Sequence, residues 1–279
     1  MTNGATGTAP RSLAQALSIR AAEPNRRVVS GGTDVMVAVN EGRERPQGWL
    51  SLRRVAELGE IGERDGSVVI GAGCTFHRLQ QDLTTTAPAL AMAARTVGGP
   101  QIRSAGTIGG NLVTSSPAAD SVPPLLCYDA EVEISSVHGE RTVPLERFAT
   151  GAKTNVLAAD ELVTGVTLRS TGGQEWFSKV GTRNAMVISV CSLAARLDAD
   201  NGVARVAIGS VGPTVCRVVD AEVLLLDPHA GAEFVEAVTA AASPIDDVRA
   251  TAAYRRHAVG VLAARVHERL WRATGQDLR

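Results

Sequence analysis

The sequence predicts an α+β protein, and three observations carry that prediction. Short β-branched runs alternate with stretches of helical period as far as about residue 170. Beyond it, two apolar runs flank Asp200-Asn201-Gly202, a strong hairpin signal. Alanine-rich segments of helical spacing then lead to the C-terminus.

Element by element, Ser12 to Arg20 reads as a helix, with Leu13, Ala16, Leu17 and Arg20 on one face. Pro24-Asn25 ends it, and Val28-Val29 reads as a short strand. Thr33 and Asp34 are good N-cap residues for the run Val35 to Asn40. Trp49 to Ser51 and Ser67 to Ile70 read as further strands, the second turned by Gly71-Ala72-Gly73. Helical propensity dominates Thr75 to Ala94, broken near Pro88. Ala130 to Ser135 and Thr142 to Pro144 alternate like paired strands around His138-Gly139-Glu140. Thr171-Gly172-Gly173-Gln174 has linker composition. Ser189 to Asp198 pairs with Val203 to Ser210. Asp220 to Leu226 and Gly231 to Ala242 read as helices, and Ser243-Pro244 opens the last one. Its Tyr254, Ala258, Val261, Leu262 and Leu270 form a buried stripe opposite Arg255, Arg256, Arg265, Arg269 and Arg272.

Two glycine-centred segments carry the chemistry: Val28-Val29-Ser30-Gly31-Gly32-Thr33-Asp34-Val35 and Thr107-Ile108-Gly109-Gly110-Asn111. In the first, a strand ends where two residues lack Cβ atoms. Bare backbone lets N–H groups approach a bulky anion, and the helix start beyond it aims further N–H groups into the same space. In the second, Thr107 offers a hydroxyl, Ile108 anchors the loop, Gly109-Gly110 exposes backbone and Asn111 fixes the turn. Hydrogen bonds to a charged partner contribute roughly 1.5–3 kcal/mol each. Together the segments read as two halves of one pyrophosphate site. Either Gly-Gly pair alone, in a chain with 28 glycines, reads as a turn. The small-residue continuation to Asp120 adds an acid suited to a ribose hydroxyl or a helix cap.

Composition excludes several classes. A net charge of -1 leaves no electrostatic footprint for nucleic acid or an anionic membrane. No apolar run approaches the roughly 20 residues of a membrane span. Met1 to Pro10 lacks the basic start and apolar core of a secretory signal and reads as a frayed tail. Cys74, Cys127, Cys191 and Cys216 have no Cys-x-x-Cys spacing, so no zinc site or iron–sulfur cluster is expected in this chain, and a reducing cytoplasm is the expected home. His267-Glu268-Arg269-Leu270-Trp271 lacks the second histidine of a zinc protease helix. Ile208 stands where a nucleophile elbow around Ser210 needs glycine. His77, His138, His229, His257 and His267 are scattered, and no Gly-x-Gly-x-x-Gly follows a strand. No catalytic residue or metal ligand is expected.

The order Ser-Gly-Gly-Thr-Asp (30–34), Thr-Ile-Gly-Gly-Asn (107–111) and Ser-Pro-Ala-Ala-Asp (116–120), followed by Pro123-Pro124-Leu125-Leu126, resembles the FAD-binding medium subunit of molybdenum hydroxylases, the xanthine dehydrogenase and carbon monoxide dehydrogenase family. The likeness extends over Lys179 to Met186, Gly209 to Thr214 and Asp247 to Arg256. It implies a vanillyl-alcohol-oxidase-type (PCMH-like) FAD-binding domain of two α/β subdomains, residues 1–54 and 55–170. A C-terminal domain, residues 175–279, with a three-stranded antiparallel sheet and helices, completes the expected chain.

By this resemblance Val28, Val29, Ser30, Gly31, Gly32, Thr33, Asp34 and Val35, with Thr107, Ile108, Gly109, Gly110 and Asn111, wrap the FAD pyrophosphate. Asp120 sits near ribityl or ribose hydroxyls, and Val97 or Gly98 with Leu162 flanks the flavin ring. Many relatives carry an acid and an alanine, sometimes with an aromatic between, where this chain has Val187-Ile188-Ser189, so no ring-gating aromatic or ring-contacting lysine is inherited there. Lys179 and Arg183 read as structural charges. The implied role is electron transfer: from a small subunit with two [2Fe-2S] clusters, beside a large molybdopterin subunit in a dimer of heterotrimers, through FAD to NAD or another acceptor. The Lys179 to Met186 stretch is more like xanthine or N-heterocycle dehydrogenases than carbon monoxide dehydrogenase. The alternatives are the carbon monoxide dehydrogenase flavoprotein, an independent flavoenzyme and a flavin-free assembly subunit.

Overall fold

The protein is described by a computed structural model over residues 6–169 and 172–275. The chain opens on strand β1 (Thr6–Thr8) and helix α1 (Leu13–Ala22), whose N-cap Ser12 side chain accepts from the Gln15 N–H. Strand β2 (Arg27–Val29), helix α2 (Val35–Asn40) and strand β3 (Gly48–Ser51) follow. β3 pairs in parallel with β1 on one side and β2 on the other. The tail expected to fray is thus an edge strand from Thr6 onward, tied by a ladder that a glycine- and threonine-rich sequence does not announce; Met1 to Ala5 lie outside the described residues.

A second sheet is wholly antiparallel. It comprises β4 (Ile61–Arg64), β5 (Ser67–Gly71), β6 (Glu131–Ser136), β7 (Gly139–Pro144) and, after the small hairpin β8 (Ala149–Gly151) and β9 (Thr154–Asn155), β10 (Leu162–Leu168), in the order β4-β5-β10-β6-β7. Between β5 and β6 the chain runs through α3 (Phe76–Asp82), α4 (Pro88–Thr96), α5 (Pro100–Ala105), α6 (Ile108–Thr114) and α7 (Val122–Cys127). Pro88 and Pro100 each open a helix, where a missing N–H costs nothing and the fixed φ suits the first turn. Val68, Ile70, Val132, Val166 and Leu168 of the sheet share one core with Leu79, Leu90, Ile108 and Leu125 of the helices. A short helix α8 (Leu145–Phe148) seals its edge.

The third region holds β11 (Gln174–Val180), β12 (Cys191–Asp198), β13 (Val203–Gly209) and β14 (Cys216–Arg217), then α9 (Val219–Leu225), α10 (Gly231–Ala240) and α11 (Ala252–Ala273). The sheet has four strands instead of the expected three, because Cys216–Arg217 pairs with Ile208 and Ala207 after the Gly212-Pro213 turn. Every residue of β12 is buried. The two-residue side-chain period explains this: Ala194 joins the core of the preceding region, while Leu193, Ala195 and Leu197 join a separate core with Leu225, Phe234, Leu262 and Leu270. The sheet is thus held between the second region and the last helices.

Helix α11 starts later than Ser243-Pro244 suggested. Thr251 caps it by accepting from the Tyr254 N–H, and residues 243–250 form an irregular strap ended by an Asp247–Ala250 bridge. Tyr254 is exposed, whereas Arg255, assigned by periodicity to the solvent face, is buried. Its guanidinium donates to the Val190 and Ser210 carbonyls and to Asp247. Helical period puts Arg255 on the face of Ala258 and Leu262, and its burial is tolerated because its donors are answered there.

Candidate functional site

Where the parallel sheet, the α5–α6 connection and the start of β10 meet, a cleft of about 760 Å³ opens. Val28, Val29, Ser30, Gly31, Gly32, Thr33, Asp34 and Val35 line it, with Thr107, Gly109, Gly110, Asn111 and Leu162. Two expected residues do not: Ile108 is fully buried behind the cleft, and Asp120 is buried in an ion pair described below.

The turn after β2 carries the cleft's donor set. Gly32 sits at φ +73, a conformation L side chains rarely adopt. Among the described residues, the amide N–H groups of Gly31, Gly32, Thr33, Asp34 and Val35 have no protein acceptor. The next N–H, that of Met36, closes the first helical bond to the Gly32 carbonyl. Five successive free amides on a turn form a concave donor array suited to a polyanion. Leaving so many unmet at a partly buried site is costly unless water or a ligand answers them.

The second segment is different from the expected loop. Ile108 to Thr114 is helical, and Thr107 is its N-cap, accepting from the Gly110 N–H at 3.2 Å. The Gly109 N–H donates to the Ala72 carbonyl and the Asn111 N–H to the Thr107 carbonyl, so these amides are already met within the protein. Gly109 is glycine because a Cβ would stand 2.5 Å from the Ala72 side chain. Gly110 is exposed, and its added Cβ would meet only Thr107 Oγ1, at 3.1 Å; its bare surface is the cradle that a larger residue would fill. Asn111 is steadied by the Ser121 hydroxyl, which donates to its Oδ1 at 2.6 Å. A dinucleotide diphosphate therefore fits this cleft through the Gly31–Val35 amides, with Gly110 making room.

The rest of the lining divides by chemistry. Arg20, Asn25, Arg27, Glu44 and Arg45 contribute polar groups, and Val97, Ile102, Leu157, Val163 and Ile188 contribute apolar ones. Leu162 also packs with Ala16, Val55 and Leu58, joining β10 to the N-terminal layer. Glu161 beside it receives a bidentate fork from Arg141, at 2.6 and 2.7 Å, which holds its carboxyl below the usual range. Ile102, Leu157 and Val163 escaped sequence reading because nothing in an apolar residue's neighbours marks it as lining a cleft instead of a core.

Asp120 pairs with Lys179 at 2.5 Å, accepts from the Ser189 hydroxyl and lies 3.4 Å from Thr96 Oγ1. Burial pushes its carboxyl above the usual carboxylate range, opposed by the Lys179 charge and these hydrogen bonds. A second cleft, about 620 Å³, lies against the antiparallel sheet; within it Arg64 pairs with Glu133, and Glu57 accepts from the Leu13 N–H. No group of side chains among the described residues could hold a metal ion, and no helix there is long and apolar enough to cross a membrane.

Fold and cleft together define a chain of mixed helix and sheet with an amide-lined cleft and a separate C-terminal sheet layer. The family of FAD binding domains in molybdopterin dehydrogenases matches residues 5–168, and that of the CO dehydrogenase flavoprotein C-terminal domain matches residues 176–270. The chain is 33% identical to the xanthine dehydrogenase FAD-binding subunit of Escherichia coli O157:H7, over 96% of each chain. It is 34% identical to the nicotinate dehydrogenase FAD-subunit of Eubacterium barkeri, over 75% of each. Reconstituted CO dehydrogenase from Oligotropha carboxidovorans superposes with a TM-score of 0.89 at 26% identity, covering 97% of this chain and 99% of the other. This chain belongs to the family of FAD-binding flavoprotein subunits of molybdopterin-type dehydrogenases.

Proposed function

We propose that this chain is the electron-transfer subunit of a molybdenum hydroxylase complex and that the Gly31–Val35 amides hold the diphosphate of its FAD. The observation that carries the reading is that run of five N–H groups without a protein acceptor on residues that line one cleft. Thr107, Gly110 and Asn111 border the same diphosphate, and Val97, Leu162 and Ile188 are the apolar walls suited to the flavin ring. On this reading residues 1–54 and 55–170 are the two subdomains of a vanillyl-alcohol-oxidase-type domain and 175–279 a separate C-terminal domain.

Bound flavin supplies the junction between one-electron donors and a two-electron acceptor. This chain's own residues bind, orient and shield it. A small [2Fe-2S] subunit delivers electrons, a large molybdopterin subunit oxidises the substrate, and NAD or another acceptor collects the pair. The proposed assembly is a dimer of such heterotrimers in the cytoplasm. An N-heterocycle is the preferred substrate class, because the xanthine and nicotinate dehydrogenase relatives are 33% and 34% identical against 26% for the CO dehydrogenase structure.

The test is a visible absorbance spectrum of the purified chain. Flavin bands that survive dialysis, with FAD released on heating, support the reading; a colourless protein that ignores added FAD leaves a flavin-free assembly role.

A further inference from the structure

We propose that Lys179 is a positioning residue: a largely buried tie whose single ammonium draws together three of the chain segments that wall the cleft. This deepens the flavin reading and rests on it for the identity of the ligand.

Lys179 lies on β11, two residues from Phe177, which faces the core of the second region. Its Nζ donates to the Thr96 carbonyl at 3.0 Å, to Asp120 Oδ2 at 2.5 Å and to the Val187 carbonyl at 3.2 Å. Each acceptor is next in sequence to a residue of the cleft wall: Val97 after Thr96, Ala119 before Asp120 and Ile188 after Val187. A lysine ammonium has three N–H donors, and three acceptors on three separate segments use them all. The Ser189 hydroxyl donates to the other oxygen of the Asp120 carboxylate, so the pair is supported on both sides, while the Thr96 hydroxyl donates to the Ala93 carbonyl. The pair also joins layers of the fold, since Thr96 and Asp120 belong to the α4–α7 region and Lys179 and Val187 to the third.

The arrangement is specific to a compact tetrahedral cation. A planar guanidinium carries its donors in a fixed in-plane fork and cannot reach the same three points. Arginine is therefore expected to fail as a substitute although it preserves the charge.

The experiment is hydrogen exchange on the flavin-free full-length chain, with FAD titration of the same samples, for wild type, Lys179→Met, Lys179→Arg and the double variant Asp120→Asn/Lys179→Met. In all three variants, exchange should rise about tenfold both in segment 96–103 and at Val190, whose N–H donates to the Val180 carbonyl, with β6 and β12 keeping wild-type protection. FAD affinity should fall about tenfold and the bound flavin's visible band should lose its resolved shoulder as water reaches the ring. The double variant leaves no lone buried charge and answers for Lys179→Met should that variant fail to fold. Wild-type protection and affinity in Lys179→Arg, a response confined to one segment, or exchange rising equally in β12 would overturn the tie. A wild-type chain that binds no FAD would overturn the flavin reading alone, with the exchange data still deciding the tie.

Discussion

A Cβ built on Gly31 would stand 1.9 Å from the carbonyl oxygen of Ala105, so the first glycine turn and the chain entering α6 meet backbone against backbone. The close approach brings two segments distant in sequence to one cleft, and it makes Gly31 a packing glycine before it is a ligand-binding one. Gly31→Ala should therefore cost about 2–4 kcal/mol in flavin-free protein, by the overpacking and backbone strain it introduces. Urea unfolding monitored by far-UV circular dichroism measures this; a cost below about 0.5 kcal/mol would show that the turn simply moves aside.

Gly109 and Gly110 should separate cleanly. Gly109→Ala drives a methyl into Ala72 and is expected to lower the melting temperature without flavin present. Gly110→Val meets only the Thr107 hydroxyl, which must give by a few tenths of an ångström, and should cost about 1 kcal/mol of flavin-free stability, yet reduce FAD retention at least about tenfold. Paired thermal melts and flavin content in the two variants make the comparison, and equal behaviour of the two would contradict the geometry.

On the proposed reading, the five amides without a protein acceptor put the main affinity on the diphosphate, not on the ring. ADP should compete with FAD, and riboflavin, which has no phosphate, should bind at least about a hundredfold more weakly than FAD, since several charge-assisted hydrogen bonds are lost together. Isothermal titration of the flavin-free chain with each ligand tests this; comparable riboflavin and FAD affinities would move the site elsewhere.

Acid sensitivity follows from Glu161. Its folded carboxyl lies below the ordinary value, chiefly through the Arg141 hydrogen bonds. A depressed carboxyl contributes stability that is fully present above the unfolded value of about 4.3 and is lost as pH falls through the folded one. The stability gap between wild type and Glu161→Gln should hold steady from about pH 7 to pH 5 and close below about pH 4. A gap that widens on acidification would reverse the sign.

Arg255 and Arg265 occupy the same helix with opposite fates. Removing Arg255 strands the Asp247 carboxylate and the Val190 and Ser210 carbonyls, so Arg255→Ala should destabilise by about 3–5 kcal/mol. Arg265 is exposed, and Arg265→Ala should fall within about 0.5 kcal/mol of wild type. Chemical denaturation of both variants decides.

What the sequence disclosed, and what it hid, follows from how local each signal is. Ser12, Pro88 and Asp200-Asn201-Gly202 act on their immediate neighbours, and the helix, helix restart and hairpin they announce are all present. The turn at Gly31-Gly32 was equally legible. The second glycine pair was read as exposed backbone because Ala72, which accepts the Gly109 N–H, lies far off in sequence. Arg255 reads as a solvent-facing residue because it is charged, although it stands three and seven positions before Ala258 and Leu262 and so shares their buried face. Strands β1, β4 and β14 depend on pairing partners instead of their own composition. Asp120 was recognised as chemically important, but its partner Lys179 sits 59 positions away, a relation that only the folded chain contains.

A cleft whose walls come from segments within residues 20–35, 44–58, 72–76, 97–119 and 157–163 and from residue 188 exists only in the folded chain, since the unfolded polypeptide holds these segments apart. Whatever occupies it binds one side of the folding equilibrium and raises stability with the logarithm of its concentration, by about 2.7 kcal/mol at a hundred times the dissociation constant. Cofactor supply thereby becomes a determinant of how long each copy of the chain survives: when flavin is scarce, the fraction of chains open to proteolysis rises, and subunit abundance tracks the means of making it useful.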